Sequence, residues 1–346
     1  MSAADRPAAT PEVPPASVVM EMVAGRWVSQ AIGAAAELGI ADALHDGPLT
    51  PTALAARIGA HADSLYRLLR ALASVGIFAE DADGRFHQTP LSATLRAGIP
   101  GSLRGWARYA GSRPAVLAWA DLATSIRTGE PAFRRVFGKS FFEYLQTAPA
   151  EAAAFDEAMH GISSTEIPAV LAAYDFGDCG TIVDVGGGDG TLLSAILQKH
   201  PTVRGIVYDL DHVVTRTRER LAGTPLERRV VVEAGSFFDT VPAGGDTYLM
   251  KHILHDWADD ACVRILRHCR RVIPPAGRLV VVDAVIAPGN DPGFEKLLDL
   301  EMIAVTDGGR ERTEKEFAAL FDAAGFHLQR VVATEAPTRV VEGHPA

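Results

Sequence analysis

The feature that most constrains the fold is a glycine-rich segment between a strand pattern and a helix pattern. Residues 181–185 read TIVDV, residues 186–190 read GGGDG, and residues 191–199 read TLLSAILQK. Gly186, Gly188 and Gly190 have no Cβ that would hold a ligand away from the backbone. The segment therefore predicts a strand, a tight turn and a helix, with a nucleoside-sized ligand at the carboxyl edge of a parallel sheet.

Short apolar strands alternate with helical segments through the rest of the carboxyl-terminal half. Such runs are typical of a parallel sheet that is buried on both faces. The pattern predicts further strands at 204–209, 230–234, 246–250 and 278–283, a helix at about 314–324, and a closing antiparallel pair at 326–333 and 338–342. We therefore expect an α/β fold, with a doubly wound, Rossmann-like domain over residues 176–346.

The amino-terminal part has a different, mainly helical pattern. Residues 1–16 are rich in proline and are expected to be disordered. Helical spacing of apolar residues then runs from Ser17 to Leu44, and these helices are apolar on more than one face. Such surfaces require a partner, which is either a second copy of the chain or the chain's own later helices.

Residues 49–94 have the pattern of a winged helix, which we place in a domain spanning residues 17–100. Pro51 opens a helix that ends near Ile58, Asp63 is expected to cap a second helix, and a turn at 80–84 joins two short strands. A winged helix can bind DNA, but residues 1–98 contain 7 Lys and Arg against 10 Asp and Glu. This balance repels phosphate, so we interpret the domain as structural and expect no nucleic-acid partner.

Residues 101–175 predict a helical connecting region with many aromatic residues. Breaks are expected at Pro114, Pro131 and Pro149. Aromatic residues of this kind usually form a core, but they equally suit the apolar wall of a pocket for a flat substrate. Met159, just ahead of the nucleotide-binding unit, is the residue that we expect in such a wall.

Composition excludes several classes of protein. The net charge of −10 argues against a nucleic-acid footprint, and 48% hydrophobic with 22% charged residues is typical of a globular protein. Cys179, Cys262 and Cys269 form no CxxC pair, so neither a disulfide framework nor a cysteine zinc site is predicted. No apolar run approaches the ~20 residues needed to span a bilayer. We expect a cytoplasmic protein without a membrane partner.

The glycine turn is compatible with two cofactor classes, a dinucleotide or S-adenosylmethionine. Its third glycine comes one residue earlier than in the dinucleotide pattern GxGxxG, which favours S-adenosylmethionine. Asp184 at the end of the first strand suits the ammonium group of that ligand, and Asp209 at the end of the second suits the ribose hydroxyls of either class. Ser236, Phe237 and Phe238 follow the third strand, where an adenine would be bound.

Four motifs together carry a resemblance to a known family. They are DVGGGDG at 184–190, YDLDHV at 208–213, MKHILHDW at 250–257 and GGRERT at 308–313. With these motifs, from Ser17 to Val341, the chain resembles the class I S-adenosylmethionine-dependent small-molecule O-methyltransferases, above all the caffeate and hydroxyindole group and its bacterial natural-product relatives. The resemblance implies an N-terminal winged-helix dimerisation domain, a Rossmann-like catalytic domain and an intertwined homodimer.

The resemblance also implies roles for single residues. His255 would be the general base, with the carboxylates of Asp283 and Glu311 beside it. Cofactor contacts would come from Ser163, Asp184, Gly186, Gly188, Asp209, Leu210, Ser236, Phe237, Phe238 and Lys251, and substrate contacts from Met159, His252, Asp256, Met302 and Thr306. The order of strands agrees, because His255 follows the fourth strand and Asp283 ends the fifth, at the ligand-bearing edge.

Methyl transfer from a sulfonium requires that the acceptor oxygen is held near the methyl group and loses its proton. A phenol titrates near ~10 and an imidazole near ~6.5, so full proton transfer before attack is uphill by about 3.5 pKa units, or roughly 5 kcal/mol. Neighbouring carboxylates reduce this cost because they favour the imidazolium form. No metal is expected, since the carboxylates are accounted for beside His255.

Two positions depart from the family pattern. Asp283 stands where plant relatives often carry Glu, and its shorter reach weakens the expected contact with His255. Ser236 stands where Asp is frequent, which puts the adenine contact at that position in doubt. Without the motifs, His255 and its neighbour His252 have a second interpretation as buried structural histidines.

We interpret the chain as an enzyme that methylates a hydroxyl, in the first place a phenolic one, on a flat apolar metabolite such as an aromatic polyketide or a phenylpropanoid. Three alternatives stay open: an S-adenosylmethionine-binding homologue with non-methylating chemistry, a transcriptional regulator, and a nicotinamide dehydrogenase. The acidity of the winged-helix segment counts against the regulator. The substrate itself is not readable from the sequence, because an apolar pocket selects shape.

Overall fold

A computed structural model describes residues 13–346, which divide into two compact units. The first contains the described residues up to Ser112 together with Ala154–Ala158, and the second contains Arg113–Ala153 and Met159–Ala346. The predicted disorder of residues 1–16 lies mostly outside the described residues, and its last two residues are helical, because the first helix begins at Pro15. The predicted domain boundaries at 16, 100 and 175 stay a prediction.

The first unit contains the predicted winged helix. Its elements are α1 (Pro15–Glu37), α2 (Ile40–Ala43), α3 (Pro51–Ile58), α4 (Ala62–Ser74), β1 (Phe78–Glu80), β2 (Phe86–Gln88), α5 (Pro90–Ala93) and α6 (Arg104–Gly111). Strands β1 and β2 pair antiparallel and form the wing. The core contains one face of α3 and α4 together with an aromatic residue from each strand, Phe78 and Phe86.

Local sequence explains where the helices of this unit begin and end. The Thr50 side chain accepts a hydrogen bond from the Ala53 amide at the start of α3, and the left-handed Gly59 ends that helix. The prediction that Asp63 caps α4 is wrong. The N-cap is His61, which makes no side-chain capping bond, and Asp63 lies inside the first turn. Its carboxylate still faces the positive end of the helix dipole.

The long helix α1 is buried at only one end. Gly33 packs against α6 so closely that a Cβ there would lie 2.9 Å from the carbonyl oxygen of Ala107. Towards its amino terminus the same helix exposes a series of large apolar side chains, namely Val19, Met20, Met22, Val23 and Trp27. In the part of the chain that the structure describes, the amino-terminal half of α1 is therefore an apolar surface open to solvent.

The second unit begins with short helices followed by one long one. They are α7 (Arg113–Ala120), α8 (Leu122–Thr128), α9 (Ala132–Phe137), α10 (Phe141–Thr147) and α11 (Pro149–Ala173), of which residues 154–158 belong to the first unit. The prolines expected to break this region, Pro114, Pro131 and Pro149, lie at or next to helix starts, where proline costs no hydrogen bond. The rings of Phe133, Phe137, Phe141 and Tyr144 pack on one another, so these aromatic residues form a local core.

The rest of this unit is a mixed sheet with helices on both faces. The strands are β3 (Thr181–Val185), β4 (Arg204–Asp209), β5 (Val230–Ala234), β6 (Thr247–Lys251), β7 (Arg278–Ile286), β8 (Arg312–Thr313), β9 (Phe326–Ala333) and β10 (Thr338–Pro345). The helices are α12 (Thr191–Lys199), α13 (Asp211–Leu221), α14 (Asp259–Val272), α15 (Phe294–Val305) and α16 (Glu314–Ala324). The α/β class, strands β3 to β5, helix α16 and the antiparallel closing pair are confirmed. Strand β6 begins one residue later than predicted, and β7 and β10 each run three residues further.

The strand order fixes where a ligand can bind. The order is β5-β4-β3-β6-β7-β10-β9, with β8 paired to β7. Strands β3 to β7 are parallel to one another, and β10 is antiparallel to both β7 and β9. The strand order reverses between β3 and β6, so the crevice for a ligand opens at the carboxyl ends of these two strands. Successive residues such as Val183 and Ile182 face opposite cores, which explains the continuous apolar strands. None of the described helices is long and apolar enough to cross a membrane.

Candidate active site

The turn after β3 has the backbone that its glycines predict. Gly186, Gly188 and Gly190 all have positive φ, at 71°, 58° and 72°. A Cβ on Gly186 would overlap Cδ1 of Ile253, whereas at Gly188 it would meet nothing within 4 Å. We call residues 186–190 the cofactor turn. Its backbone is therefore open to a ligand at Gly188 and closed by a neighbouring side chain at Gly186.

Two predicted acidic residues lie against this turn. The Asp209 carboxylate accepts hydrogen bonds from the amides of Gly188 at 2.8 Å and Leu210 at 2.6 Å, so it ties the turn to the end of β4. Asp184 is only 2% exposed, and burial, followed by the charge of Asp209, raises its pKa to about 7. Its carboxyl group lies against Gly187, at the underside of the turn. Leu210 is 44% exposed at the start of α13.

The predicted adenine residues form one wall beside the cofactor turn. The Phe237 ring lies next to Gly186, since a Cβ on that glycine would be 3.4 Å from Cε1 of the ring. Phe237 and Phe238 pack on each other at 4.9 Å, and both contact the ring of Trp257. The Ser236 hydroxyl accepts a hydrogen bond from the Phe238 amide at 3.2 Å. Ser236 therefore shapes the loop that carries both rings.

Ser163 and Lys251, which are far apart in sequence, meet at the end of β6. The Lys251 ammonium donates to the Ser163 hydroxyl at 2.9 Å and lies 3.0 Å from Oε2 of Glu166. The same Glu166 oxygen lies 2.8 Å from Nε2 of His252. Burial acts to raise the pKa of Glu166, but the charges and hydrogen bonds of His252 and Lys251 outweigh it and lower that pKa to about 2.

Sequence reasoning missed Glu166. One signal was available, because Met159, Ser163 and Glu166 are spaced i, i+4 and i+7 along α11 and so share a helix face. A carboxylate on the face predicted to contact cofactor and substrate was therefore a candidate ion-pair partner. Its partners, Lys251 and His252, could be identified only once α11 and β6 had been placed together.

His255 lies in a 3-10 turn at Leu254–Asp256, directly after β6. Its Nδ1 is 2.7 Å from Oε1 of Glu311, and its Nε2 is 3.7 Å from Oδ1 of Asp256. Burial acts to lower the pKa of His255, but the negative charges of Asp256, Glu311 and Asp283 raise it to about 10. The arrangement is thus an imidazole oriented by one carboxylate and made strongly basic by three.

The glycine-rich loop that carries Glu311 folds onto this turn. The Arg310 amide donates to the His255 carbonyl at 2.8 Å, and a Cβ on Gly309 would overlap that same carbonyl. The Glu311 amide donates to the Asp299 carboxylate of α15 at 2.9 Å. Backbone contact on one side and Asp299 on the other therefore fix the position of Glu311.

Arg312 was missed as a structural residue of the site. It is 1% exposed, and its guanidinium donates to the carbonyls of Leu254 at 2.8 Å and Trp257 at 2.9 Å. It also forms an ion pair with Asp259 at 2.7 Å. These hydrogen bonds hold the backbone on both sides of His255 in place. The motif GGRERT contained it, but nothing in the sequence distinguished a buried arginine from a solvated one.

Asp283 and His252 complete the cluster, and Asp283 makes no hydrogen bond to His255, in line with the weaker contact expected from its shorter reach. Asp283 is fully buried in β7, neither of its carboxyl oxygens has a hydrogen-bond partner among the described residues, and Oδ1 lies 3.7 Å from Nδ1 of His252. Burial, together with the negative charge of Glu311, raises its pKa to about 7. We call His252, His255, Asp256, Asp283 and Glu311 the base pocket.

His252 has an unusual backbone. Its φ of 53° is the only positive value at a non-glycine among the described residues. Its ring stacks on that of His255, with centroids 5.0 Å apart and an interplanar angle of 29°. Left-handed backbone at such a residue is strained and has to be held by surrounding contacts. Here the Glu166 carboxylate and the ring of His255 supply them.

The remaining residues predicted to contact substrate lie on two helices. Met159 is half-buried on α11, and Met302 is buried near the end of α15. The Thr306 hydroxyl donates to the Met302 carbonyl at 2.8 Å, so in this structure it stabilises the end of α15. Asp256, also predicted to contact substrate, lies in the turn after β6, and its Oδ1 is 3.7 Å from Nε2 of His255.

The cysteines and a three-residue cluster complete the inventory of the site. Cys179, Cys262 and Cys269 are buried and free, in keeping with the absence of a predicted disulfide. His252, His255 and Asp283 each place one ligand atom within 4.8 Å of the others. Chemically, the pocket can accept a proton at His255 or bind a cation at this cluster.

Two family models match the chain. An O-methyltransferase domain matches residues 119–327, and an O-methyltransferase dimerisation domain matches residues 20–98. The first match alone covers more than half of the 346 residues. The two matches lie in the order that the winged-helix and Rossmann-like patterns predict.

Similar proteins cover nearly the full length. The chain is 44% identical to a phenazine O-methyltransferase of Lysobacter antibioticus, over 96% of this chain and 97% of that protein. It is 41% identical to a mitomycin biosynthesis 6-O-methyltransferase of Streptomyces lavendulae, over 94% and 93% of the two chains. Human N-acetylserotonin methyltransferase in complex with S-adenosylmethionine superimposes with a TM-score of 0.89 at 27% identity, covering 98% of this chain and 99% of the human one.

Proposed function

Because this chain belongs to the S-adenosylmethionine-dependent O-methyltransferases, we propose that it methylates a phenolic hydroxyl of a small aromatic natural product, with His255 as the general base. The observation that carries this proposal is the 2.7 Å contact between His255 Nδ1 and Glu311 Oε1. An ionised carboxylate at that distance holds the proton on Nδ1 in neutral imidazole. Nε2 is then the nitrogen that accepts the proton of the substrate.

The residues of the cofactor turn fit S-adenosylmethionine, which supplies a methyl group bound to a sulfonium. Gly188 leaves open space over its backbone, as close approach of a nucleoside requires. We assign the nucleoside to Gly186, Gly188, Asp209, Leu210, Ser236, Phe237 and Phe238, and the amino-acid part to Asp184, Ser163 and Lys251. The 2.9 Å contact between Ser163 and Lys251 supports their common role.

The acids of the base pocket raise the proton affinity of His255. With the pKa of His255 raised to about 10, the imidazole matches a phenol, which titrates near ~10. Proton transfer from the phenol to neutral His255 is then close to thermoneutral, whereas an unperturbed imidazole would require roughly 5 kcal/mol. The same raised pKa keeps most of His255 protonated at neutral pH, so the fraction that can accept a proton rises with pH. Glu311 contributes by direct contact, whereas Asp256 and Asp283 contribute through their charges.

An aromatic substrate suits the residues around the base. Met159 and Met302 offer polarisable apolar surface, and Phe142 stacks on Trp257 with centroids 6.0 Å apart, next to the turn that carries His255. Asp256 would accept a hydrogen bond from a donor beside the reacting hydroxyl, since its carboxylate lies 3.7 Å from Nε2 of His255. One relative named above is a phenazine O-methyltransferase, and its name supports an aromatic substrate for this chain.

We also propose that the enzyme acts as a homodimer formed through the winged-helix segment. Residues 20–98 match a dimerisation domain, and the exposed apolar residues of α1 fall within that range or just before it. Val19, Met22 and Trp27, 59%, 73% and 74% exposed, are the kind of side chain that a second copy would bury. Light scattering on a size-exclusion column tests this directly, because a monomer at micromolar concentration would contradict it.

The function is tested by a mass-spectrometric screen of hydroxylated aromatic metabolites with S-adenosylmethionine. The expected product is heavier by one methylene unit and has lost a free hydroxyl. Phenazine and naphthoate phenols, with their O-methyl ethers as matched controls, form the first panel. Cofactor binding in calorimetry combined with no methylated product from any phenol would favour non-methylating chemistry and contradict the proposal.

A further inference from the structure

Two histidines of the base pocket each have one ring nitrogen next to a buried carboxylate. His252 Nε2 lies 2.8 Å from the Glu166 carboxylate, and His255 Nδ1 lies 2.7 Å from the Glu311 carboxylate. One nitrogen of each imidazole therefore lies at a buried acid, and the other, Nδ1 of His252 and Nε2 of His255, is left without such a hydrogen bond. Histidines that bind metal ions have this arrangement, with a carboxylate behind the ring that fixes its tautomer and raises its basicity.

Asp283 supplies a third possible metal ligand close to these two histidines. It is fully buried, and its two oxygens and Nδ1 of His252 have no hydrogen-bond partner among the described residues. A buried carboxyl group without a partner is costly. Its Oδ1 is 3.7 Å from His252 Nδ1, and His252, His255 and Asp283 each place one donor atom within 4.8 Å of the others.

We propose that His252, His255 and Asp283 form a binding site for a divalent transition-metal ion, with Zn²⁺ as its representative, and that the bound ion inhibits the enzyme. Two imidazoles and one carboxylate are donors that Zn²⁺ prefers, whereas Mg²⁺ and Ca²⁺ prefer oxygen alone. In a tetrahedral site with bonds of about 2.1 Å, donor atoms are about 3.4 Å apart. The 3.7 Å between Asp283 and His252 is near that spacing, whereas the other donor pairs, which lie within 4.8 Å, would have to approach by up to about 1.4 Å.

The charge of the pocket favours a cation as well. The carboxyl groups of Asp256 and Glu311 lie 3.7 Å and 2.7 Å from the two nitrogens of His255, and Asp283 belongs to the same cluster. A divalent ion would replace protons on His255 and Asp283 and neutralise this excess of negative charge. Glu166 and Glu311 would then stabilise the two histidine ligands from behind.

Inhibition, unlike binding, rests on the proposed function of His255. The lone pair on Nε2 of His255 that takes the substrate proton is the one that would bind the ion. Zn²⁺ should therefore compete with the phenol and not with S-adenosylmethionine. Mg²⁺ at the same concentration should leave the rate unchanged.

Binding is tested by calorimetric titration of the purified full-length protein with ZnCl₂, and by the visible absorption of the Co²⁺ form. We expect one saturable site, and Co²⁺ bands with the intensity of four- or five-coordinate geometry. Glu166→Gln should weaken binding by about 10- to 100-fold, as loss of such a supporting carboxylate does elsewhere. His252→Asn, in which the asparagine tolerates the positive φ, should weaken it further.

His344→Gln is the matched control. His344 also lies 2.9 Å from a carboxylate, that of Glu342, but belongs to β10 and not to the base pocket. The zinc affinity of the His344→Gln variant should equal that of the wild type. Zinc affinity that is lost in His344→Gln and kept in Glu166→Gln and His252→Asn would overturn the site, as would the absence of a saturable site in the wild type.

The two parts of the proposal can fail separately. Zn²⁺ that binds at the base pocket without raising the apparent KM for the phenol would leave the site in place and contradict the base role of His255. If His252→Asn does not fold, Glu166→Gln and the Co²⁺ spectrum of the wild type decide. Weak bands of six-coordinate Co²⁺ together with unchanged affinity in Glu166→Gln would overturn the proposal.

Discussion

The cofactor turn and the base pocket meet at Gly186 and Ile253, yet they are built by different means. The turn is formed by consecutive residues, and its shape follows from glycines with positive φ and from Asp209, which binds a turn amide. The base pocket draws its side chains from three separate segments, at β6 and the turn after it, β7 and the loop before β8. Burial, together with the charge of Glu311, raises the pKa values of Asp256 and Asp283, and Asp283 makes no hydrogen bond among the described residues.

Under the proposed function, this difference gives the cofactor turn and the base pocket different roles. The turn makes a surface with a fixed shape, and its polar groups are bonded to the protein itself. In the base pocket, the negative charges of Asp256, Glu311 and Asp283 stabilise a proton on His255. Changes to the turn should therefore act on cofactor affinity, whereas changes to the pocket should act on turnover and on its pH dependence.

The largest effect is expected for His255→Ala. Loss of the general base should lower kcat by about 10³-fold, within the range usual for acid–base catalysis. The dissociation constant of S-adenosylmethionine, measured by calorimetry, should stay within about twofold, because the cofactor turn is untouched. Turnover at the wild-type rate would show that the base is elsewhere, and a large loss of cofactor affinity would show that the two halves are not separable.

Glu311→Gln should lower kcat by about 10- to 100-fold and change the pH profile in a defined direction. The protonated form of His255 cannot accept a proton, so kcat/KM should rise with pH as His255 loses its proton. Burial lowers the pKa of His255 while Asp256, Glu311 and Asp283 raise it. Removing the charge of Glu311 therefore moves the rising limb to lower pH, while the weaker base lowers the plateau. A limb that stays in place would contradict the contact.

Gly186→Ala should weaken S-adenosylmethionine binding by about tenfold or more, because the new Cβ adds a clash with Ile253 to the strain of positive φ. Gly223→Ala is the matched control, since its φ of 72° is also positive, its Cβ would meet nothing within 4 Å, and it lies outside the cofactor turn. Calorimetric affinities of the two variants separate steric overlap from backbone strain. Equal losses in both would mean that the contact with Ile253 does not matter.

The smallest effect is expected for Ser163→Ala. The variant loses one hydrogen bond to Lys251, which keeps its ion pair with Glu166. A net contribution of about 1 kcal/mol corresponds to roughly a fivefold weaker binding of S-adenosylmethionine. The pH profile of kcat/KM should not move. A shifted profile would show that the Lys251 network reaches the base, and the division between the two halves would then fail.

Much of the fold could be predicted because its signals are local. Strand β4 at Arg204–Asp209 and helix α16 at Glu314–Ala324 begin and end where apolar patterning and capping residues predict. The cap at Asp63 was wrong because a carboxylate in the first turn of a helix and one at its N-cap give nearly the same sequence pattern. His255 and Glu311, which the sequence placed beside each other, are in contact, because their motifs lie on elements that end at the same sheet edge.

The sequence by itself determined the α/β class, the left-handed glycine turn and the candidate base, because each depends on backbone preferences within a few neighbouring residues. Only the tertiary structure decided that Glu166 binds Lys251 and His252, that Arg312 closes the segment around His255, and that Asp283 makes no hydrogen bond to His255. These contacts join residues up to 86 positions apart. Their formation depends on how α11, β6 and β7 pack, and a difference of one ångström in that packing separates a hydrogen bond from a buried charge without a partner.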